Sequence, residues 1–486
     1  VGVSQNCWAA TSPVVSFLFP GQGAQYPGMG RDLYVKEPIF RRHIRQCSDI
    51  LSPLLDVDLV AVLYETPSSE STHDIDVGEP WIAQPALLAV EYALAKLWIS
   101  WGIEPESMFG HSLGEYAAAA LAEVMSIEEA LRLIAIRGQL MRQILPGAML
   151  AVSRSGASIS PRLTDELAVA AFNAPDLCTI AGTPDAIRAF GTELKAEGIA
   201  CQPLRASHAF HSSLVEPAIE PFLSELRKIR LNPPRIPFIS GVTGTWIQKD
   251  EAQSPEYWSR QMRLPVQFDA GLTELLRGEN RMLLDIGPGQ TLRGLALHKD
   301  RAREDPQVFA AMPPSIGPSE QRSVLTVLTQ LWEVGVSLKW SRVRQSEAQR
   351  ISLPTYPFER KRFWIDRAKG LTRPNLTSSD QPLDASSNLR CSKVPRPNLS
   401  NVYVAPRNDL ETTLAGIWEE FLGLDLVGIN DDFFELGGHS LLATKLVAEV
   451  RSRIGVELPL AKLFEEPTIT QMAETILVSN TGFAKY

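Results

Sequence analysis

Residues 108–120, MFGHSLGEYAAAA, decide how the chain is read. Gly110-His111-Ser112-Leu113-Gly114 is a G-x-S-x-G sequence, whose mechanics are a tight turn from strand to helix. Its small flanking residues let the serine take strained backbone angles and present its hydroxyl. Both partners of such a turn are present: EPESMFG at 104–110 reads as a short strand and EYAAAALAEVM at 115–125 as an Ala-rich helix. The letters GHSL return within FELGGHSLLATKL at 434–446. There Leu442 stands where the second glycine belongs, and Leu442, Leu446, Val450 and Ile454 recur on one helical face. Gly437 and Gly438 permit a turn, and Ser440 opens the helix, where a serine caps exposed N–H groups. One tetrapeptide thus serves a serine placed to attack and a serine placed to begin a helix.

Outward from the first GHSL, VVSFLF at 14–19 reads as a buried strand ended by the loop PGQGAQYPGMG, and 81–98 as a buried helix. Strands alternating with helices imply an α/β layer with a mainly parallel sheet. From 148 to 204 the order becomes βαββαβ, that of a ferredoxin-like unit, and α/β segments resume with IPFISGV and RMLLDIG. The unit is therefore an insertion, placed at about 146–205. An apolar-periodic helix follows at 320–340, then the Pro-punctuated strap LPTYPFERKRFWID. Residues 367–401, rich in Ser, Asn and Pro, read as a flexible tether. Three helical patterns close the chain in little more than the minimum length that buries a core.

The 486 residues exceed one average domain, and 44% hydrophobic and 21% charged residues are ordinary for globular protein. No run of about 18 apolar residues is evident, and the expectation is no membrane. The start, VGVSQNCWAATSP, has no initiator Met and no signal-peptide pattern; residues 1–13 read as a linker remnant. Five cysteines without a CxxC pair favour reduced thiols, a cytoplasmic location and no metal. Net charge is −9, of which residues 405–477 carry −8 from 13 acidic and 5 basic side chains. A nearly neutral body with a small acidic module argues against nucleic acid and for docking on basic surfaces.

FLFPGQGAQYPGMG, GHSLGEYAA, IRGQLM, FNAPDLCTIAG, SHAFHSSLVEP and LDIGPGQTL occur in that order along 14–292. Together they closely resemble the malonyl-CoA:acyl-carrier acyltransferases embedded in modular polyketide synthases. The resemblance implies an α/β-hydrolase-like core over 14–316 with the ferredoxin-like insertion, then a helix and strap over 317–366. By it, Ser112 is the nucleophile and His211 the general base, oriented by a backbone carbonyl rather than a carboxylate. Backbone N–H groups of Gln22 and Leu113 form the oxyanion hole, and Arg137 clamps the free carboxylate of a malonyl group. Gln84, Asn173, His208 and Phe210 line the pocket. HAFH at 208–211 accompanies malonyl rather than methylmalonyl selection, Phe210 filling the space of an α-methyl. DDFFELGGHSLLATKLVAEV resembles a phosphopantetheine carrier domain, placed at 405–478 after a linker at 367–404; its GGHSL is closer to the peptidyl-carrier type, so the resemblance extends to hybrid peptide–polyketide synthases. Ser440 is then the attachment point of 4′-phosphopantetheine, modified by a separate phosphopantetheinyl transferase, and His439 is no base. Partners implied are malonyl-CoA, a carrier in cis or trans, and neighbouring synthase domains such as a ketosynthase.

Three other readings compete with malonyl loading. The same acyltransferase could take methylmalonyl or another acyl-CoA. A bare elbow would also serve an acyl hydrolase, though hydrolases have no need of Arg137, PGQG and HAFH. A carrier fused to a non-catalytic scaffold is the third, opposed by the intact Ser112, His211, Gln22 and Arg137.

Overall fold

The computed structural model describes residues 13–64, 76–277, 281–299, 307–312, 319–343, 395–397, 399, 401–438, 440–456, 462–463 and 467–481. The strap at 353–366, most of the tether, the first twelve residues and His439 lie outside them. In chain order the strands are β1 (Val14–Phe19), β2 (Ser107–Gly110), β3 (Ala148–Val152), β4 (Leu167–Ala174), β5 (Leu177–Gly182), β6 (Cys201–Pro203), β7 (Phe238–Ile239), β8 (Arg281–Asp285) and β9 (Val308–Ala310).

β7-β2-β1-β8-β9 form one sheet whose pairings are all parallel. VVSFLF is buried along almost its whole length, as a strand covered on both faces by helices must be. The register pairs Phe19 with Gly110 and Leu18 with Asp285. The loops PGQG, GHSLG and GPGQ therefore leave adjacent carboxyl ends of neighbouring strands, where open α/β sheets bind ligands. Helix Pro80–Ser100 covers this sheet and is apolar all round. It has the length and composition of a membrane span, unlike the sequence expectation, but its residues sit in the core.

The insertion is a second sheet, β4-β5-β3-β6, with β3 pairing antiparallel to both β5 and β6 and β5 antiparallel to β4. With helices Gly156–Ile159 and Pro184–Ala196 this is the βαββαβ order expected, and it is ferredoxin-like. Two helix ends differ from the sequence reading. The helix after the elbow stops at Leu121 rather than 125, because Glu123 takes a left-handed φ of 58°. The pattern at 320–340 breaks after Glu333, where Gly335 turns the chain at φ 99°.

Helices Asp409–Leu422, Ser440–Ile454 and Ile469–Thr481 pack around Trp418, Phe433, Leu446 and Ile476 as a small all-α unit. Part of the expected tether belongs to its surface. Arg396 donates to both oxygens of the fully buried Asp431, 2.6 Å each, and Asn401 holds the same carboxylate.

Candidate active site

The elbow is built by steric necessity. A Cβ on Gly110 would lie 2.1 Å from the Glu115 nitrogen, and one on Gly114 would lie 2.2 Å from the Phe19 carbonyl oxygen. Only glycine lets β2, the turn and the following helix approach so closely. Ser112 between them is held at φ 52°, a strained value for a serine, and His211 at φ 59°. Ser112 Oγ lies 2.6 Å from His211 Nε2, and His211 Nδ1 lies 2.7 Å from the Leu264 carbonyl. That carbonyl can only accept, so Nδ1 carries the proton and Nε2 of a neutral ring is the acceptor facing the serine. Burial, then the positive charge of Arg137, pushes His211 down to about 3, so the ring is neutral at ordinary pH. The backbone carbonyl takes the place a carboxylate holds in a triad.

Arg137 projects from helix Ile127–Met141 and is 2% exposed. Its Nε and Nη1 have no partner among the described residues, and its guanidinium sits 5.8 Å from the Tyr116 ring centre. Burial lowers its pKa, opposed by the neighbouring Tyr116. A buried guanidinium with free donors is costly unless something anionic meets it. The planar fork of such a guanidinium matches a carboxylate's two oxygens.

Gln22 lies in the loop after β1, and Leu113 directly follows the nucleophile. Loop PGQG abuts the elbow so closely that a Cβ on Gly21 would lie 2.8 Å from the His111 carbonyl oxygen. Buried Gln84 donates to Gln22 Oε1 at 3.1 Å and so steadies that loop from the core helix. Leu113 is the N-cap of helix Gly114–Leu121, where N–H groups lack intrahelical acceptors. His208 and Phe210 are buried neighbours, rings 6.1 Å apart, with His208 Nδ1 2.9 Å from Ser207 Oγ. Asn173 is bonded elsewhere: its Oδ1 meets His111 Nε2 at 2.9 Å and its amide donates to Thr179 at 3.0 Å. It ties the inserted sheet to the elbow.

Sequence reasoning missed a buried network behind the serine. Gln261 donates to the Ser112 carbonyl at 2.7 Å and to Glu115 Oε2 at 3.2 Å, and Tyr257 donates to the other oxygen of Glu115. Burial raises Glu115 to about 7. Gln261 and Tyr257 lie on helix Pro255–Arg263, whose C-cap is Leu264. One helix thus braces the strained serine and orients the histidine. The visible signal was YWSRQMRLPV, an aromatic and amide run with no motif to mark it.

In the helical unit, Ser440 begins its helix as expected; the structure describes it by its backbone. Gly437 takes φ 97°, and a Cβ on Gly438 would lie 2.4 Å from the Phe433 ring. This close-packed glycine loop delivers a serine to a helix start, a fit for a phosphodiester-linked arm. Among the described residues no cluster of His, Cys, Asp and Glu could hold a metal.

Residues 16–336 match the acyl transferase domain family, and residues 412–476 match the phosphopantetheine attachment site family. A phenolphthiocerol/phthiocerol polyketide synthase subunit of Mycobacterium tuberculosis is 34% identical over 482 residues, 98% of this chain but 32% of that protein. Erythronolide synthase EryA2 of Saccharopolyspora erythraea is 34% identical over 73% of this chain and 10% of its own length. The chain thus spans a third or less of these relatives. Among solved structures, the acyl transferase domain of ZmaA superposes with a TM-score of 0.65 at 35% identity, covering 70% of this chain and 80% of that one. A loading acyltransferase from the avermectin modular polyketide synthase gives 0.60 at 30% identity, over 65% of this chain and 99% of that one. Coverage of two-thirds of the chain, followed by the second match, settles the family: the chain belongs to the acyl transferase domain family of polyketide synthases and carries a phosphopantetheine attachment domain behind it.

Proposed function

We propose that the chain loads a malonyl extender unit, taking it from malonyl-CoA onto Ser112 and passing it to a phosphopantetheine thiol on Ser440. The observation that carries this reading is Arg137, buried near the Ser112–His211 pair without an anionic partner among the described residues. A neutral ester or a plain acyl thioester has no use for a buried guanidinium; a malonyl carboxylate does.

In the first half-reaction His211 Nε2 takes the Ser112 hydroxyl proton as Oγ attacks the thioester carbon. The N–H groups of Gln22 and Leu113 meet the oxyanion as it forms. As the carbon–sulfur bond breaks, His211 returns the proton to the departing CoA sulfur, and Ser112 holds the acyl group as an ester. Pairing of Arg137 with the substrate carboxylate cancels the charge that depresses His211, so the base strengthens when the correct substrate is bound. The arm, when bound on Ser440, supplies the thiol that accepts the acyl group. In that half His211 again takes a proton at Nε2 and gives it to Ser112 Oγ as the ester opens. Covalent linkage of the carrier to the acyltransferase gives an effective concentration on the order of millimolar.

Phe210, buried beside His208, supports malonyl over methylmalonyl, a preference limited to about 1–3 kcal/mol for one methyl group. The test is intact-protein mass spectrometry after brief exposure to malonyl-CoA or methylmalonyl-CoA, with peptide mapping. A malonyl adduct on Ser112, absent with the methylated substrate, is expected. Adducts with both substrates would remove the selectivity argument, and release of free malonate without an adduct would make the domain a hydrolase.

A further inference from the structure

The acidic helical unit does not stand clear of the acyltransferase. Helix Ser440–Ile454 packs on β6, and the Gly437 backbone sits where a Cβ would lie 3.7 Å from Leu297 Cδ1. Leu297 belongs to helix Thr291–Lys299, which follows the GPGQ loop beside Pro20 and the catalytic loops. β6 belongs to the inserted sheet, at the end where Cys201 and Cys178 both pair with Val152 and where the turn at 174–177 emerges. The seat therefore uses both subdomains that enclose Ser112.

Its charges are complementary in two directions. Asp176, on that turn, accepts from His298 Nε2 at 2.7 Å. That bond above all holds the Asp176 carboxyl down to about 2, and Lys445 of the helical unit adds to the effect. Burial lowers Arg293, and Glu435 of the helical unit is the first carboxylate to oppose it, ahead of Asp285. The carrier thus brings a cation whose charge reaches an anion of the acyltransferase, and an anion whose charge reaches a cation of it. Glu435 and Gly437 precede Ser440 by only a few residues, so this side of the seat lies at the arm-bearing end of the helix.

We propose that helix Thr291–Lys299, the 174–177 turn and β6 form the docking seat for this chain's own carrier unit, registered by Lys445 against Asp176 and Glu435 against Arg293. The seat rests on the loading function proposed above and names its acceptor as the carrier in cis. Charges at such a rim set orientation and the rate of encounter more than raw affinity. The seat therefore acts on the second transfer and leaves the first untouched.

The experiment is single-turnover loading in the full chain with its arm attached, following the Ser112 ester and the carrier thioester by rapid quench. Lys445→Glu and Asp176→Lys should each slow carrier loading about fivefold, with acylation of Ser112 unchanged. The two together restore the pair in reverse, and loading should return to within about twofold of the parent. Asp176→Asn keeps an acceptor for His298 and should slow loading less than Asp176→Lys. Single variants that load at the parent rate, or a double variant slower than either, would overturn the seat. A parent chain whose Ser112 takes no malonyl would overturn the loading function instead, and the seat with it.

Discussion

The two GHSL stretches show how little a tetrapeptide decides by itself. At Gly110–Leu113 the backbone is forced: glycines 110 and 114 have no room for a Cβ, and Ser112 is strained at φ 52°. Its hydroxyl meets His211 at 2.6 Å, and Gln261 braces its carbonyl. At 437–440 the left-handed turn falls on Gly437, which tolerates it, Gly438 packs against Phe433, and Ser440 opens a helix. The first site commits packing and hydrogen bonds to the serine's geometry, as chemistry at that oxygen demands. The second needs only an accessible hydroxyl, because the reactive atom is added later.

The largest effects should follow this division. Ser112→Ala should lower acylation by roughly a thousandfold or more, with the carrier unloaded as a result. Ser440→Ala should leave the Ser112 ester intact and abolish only the carrier thioester. Mass spectrometry of both peptides reads the contrast directly; an acylated Ser440 variant carrier, or an unacylated Ser112 in it, breaks the comparison.

Glycine substitution should separate the stretches next. Gly114→Ala drives a methyl to 2.2 Å from the Phe19 carbonyl, backbone that cannot step aside. It should cost about 3 kcal/mol or more in the acyltransferase unfolding transition. Gly437→Ala meets nothing closer than Leu297 Cδ1 at 3.7 Å and has only its φ of 97° to resist. It should cost the carrier unit about 1–2 kcal/mol. Chemical denaturation followed separately for each unit checks the ratio, and equal costs would mean the elbow is not sterically locked.

How far the sequence reached follows the same line. The βαββαβ insertion was legible because strand and helix periods alternate cleanly from 148 to 204, and local pattern determines such a unit. The elbow was legible because its glycines are adjacent in sequence to the residue they serve. Gln261 and Tyr257 were not, and the carbonyl expected to orient His211 could not be assigned to Leu264, since these groups reach Ser112 and His211 only through the fold, from some 50 to 150 residues away. Asn173, a pocket residue by the resemblance, carries no local sign of its partner, which the structure shows to be His111. Arg137 could be taken on its helix for a solvated charge; the structure buries it instead. Helix ends at Leu121 and Glu333 depended on single left-handed residues, which apolar periodicity does not register.

Gln261 therefore provides a sharper test of the first stretch. Gln261→Ala removes the donor to the Ser112 carbonyl and should lower the rate of acylation about tenfold to a hundredfold, with little change in KM for malonyl-CoA. Gln261→Glu, an acceptor facing two acceptors, should be no better. A rise in KM alone would place Gln261 in binding rather than in holding the serine.

The smallest expected effect concerns the charge on His211. Burial and Arg137 hold it at about 3, so its protonation should not shape the rate near neutrality. Acylation of Ser112 by p-nitrophenyl acetate, which has no carboxylate for Arg137, isolates this base from substrate binding. The sign is fixed: protonation removes the acceptor at Nε2, so the rate falls as pH drops through the His211 pKa. The parent should hold its rate down to about pH 5, with the acid limb below that. Arg137→Ala removes the second cause of the depression and admits water, which weakens the first; both changes move the limb to higher pH. A parent limb already near the ordinary histidine value of about 6.5 would mean that the ring is solvated and charged. The contrast between a prepared serine at 112 and a plain one at 440 would then rest on the glycines and Gln261 alone.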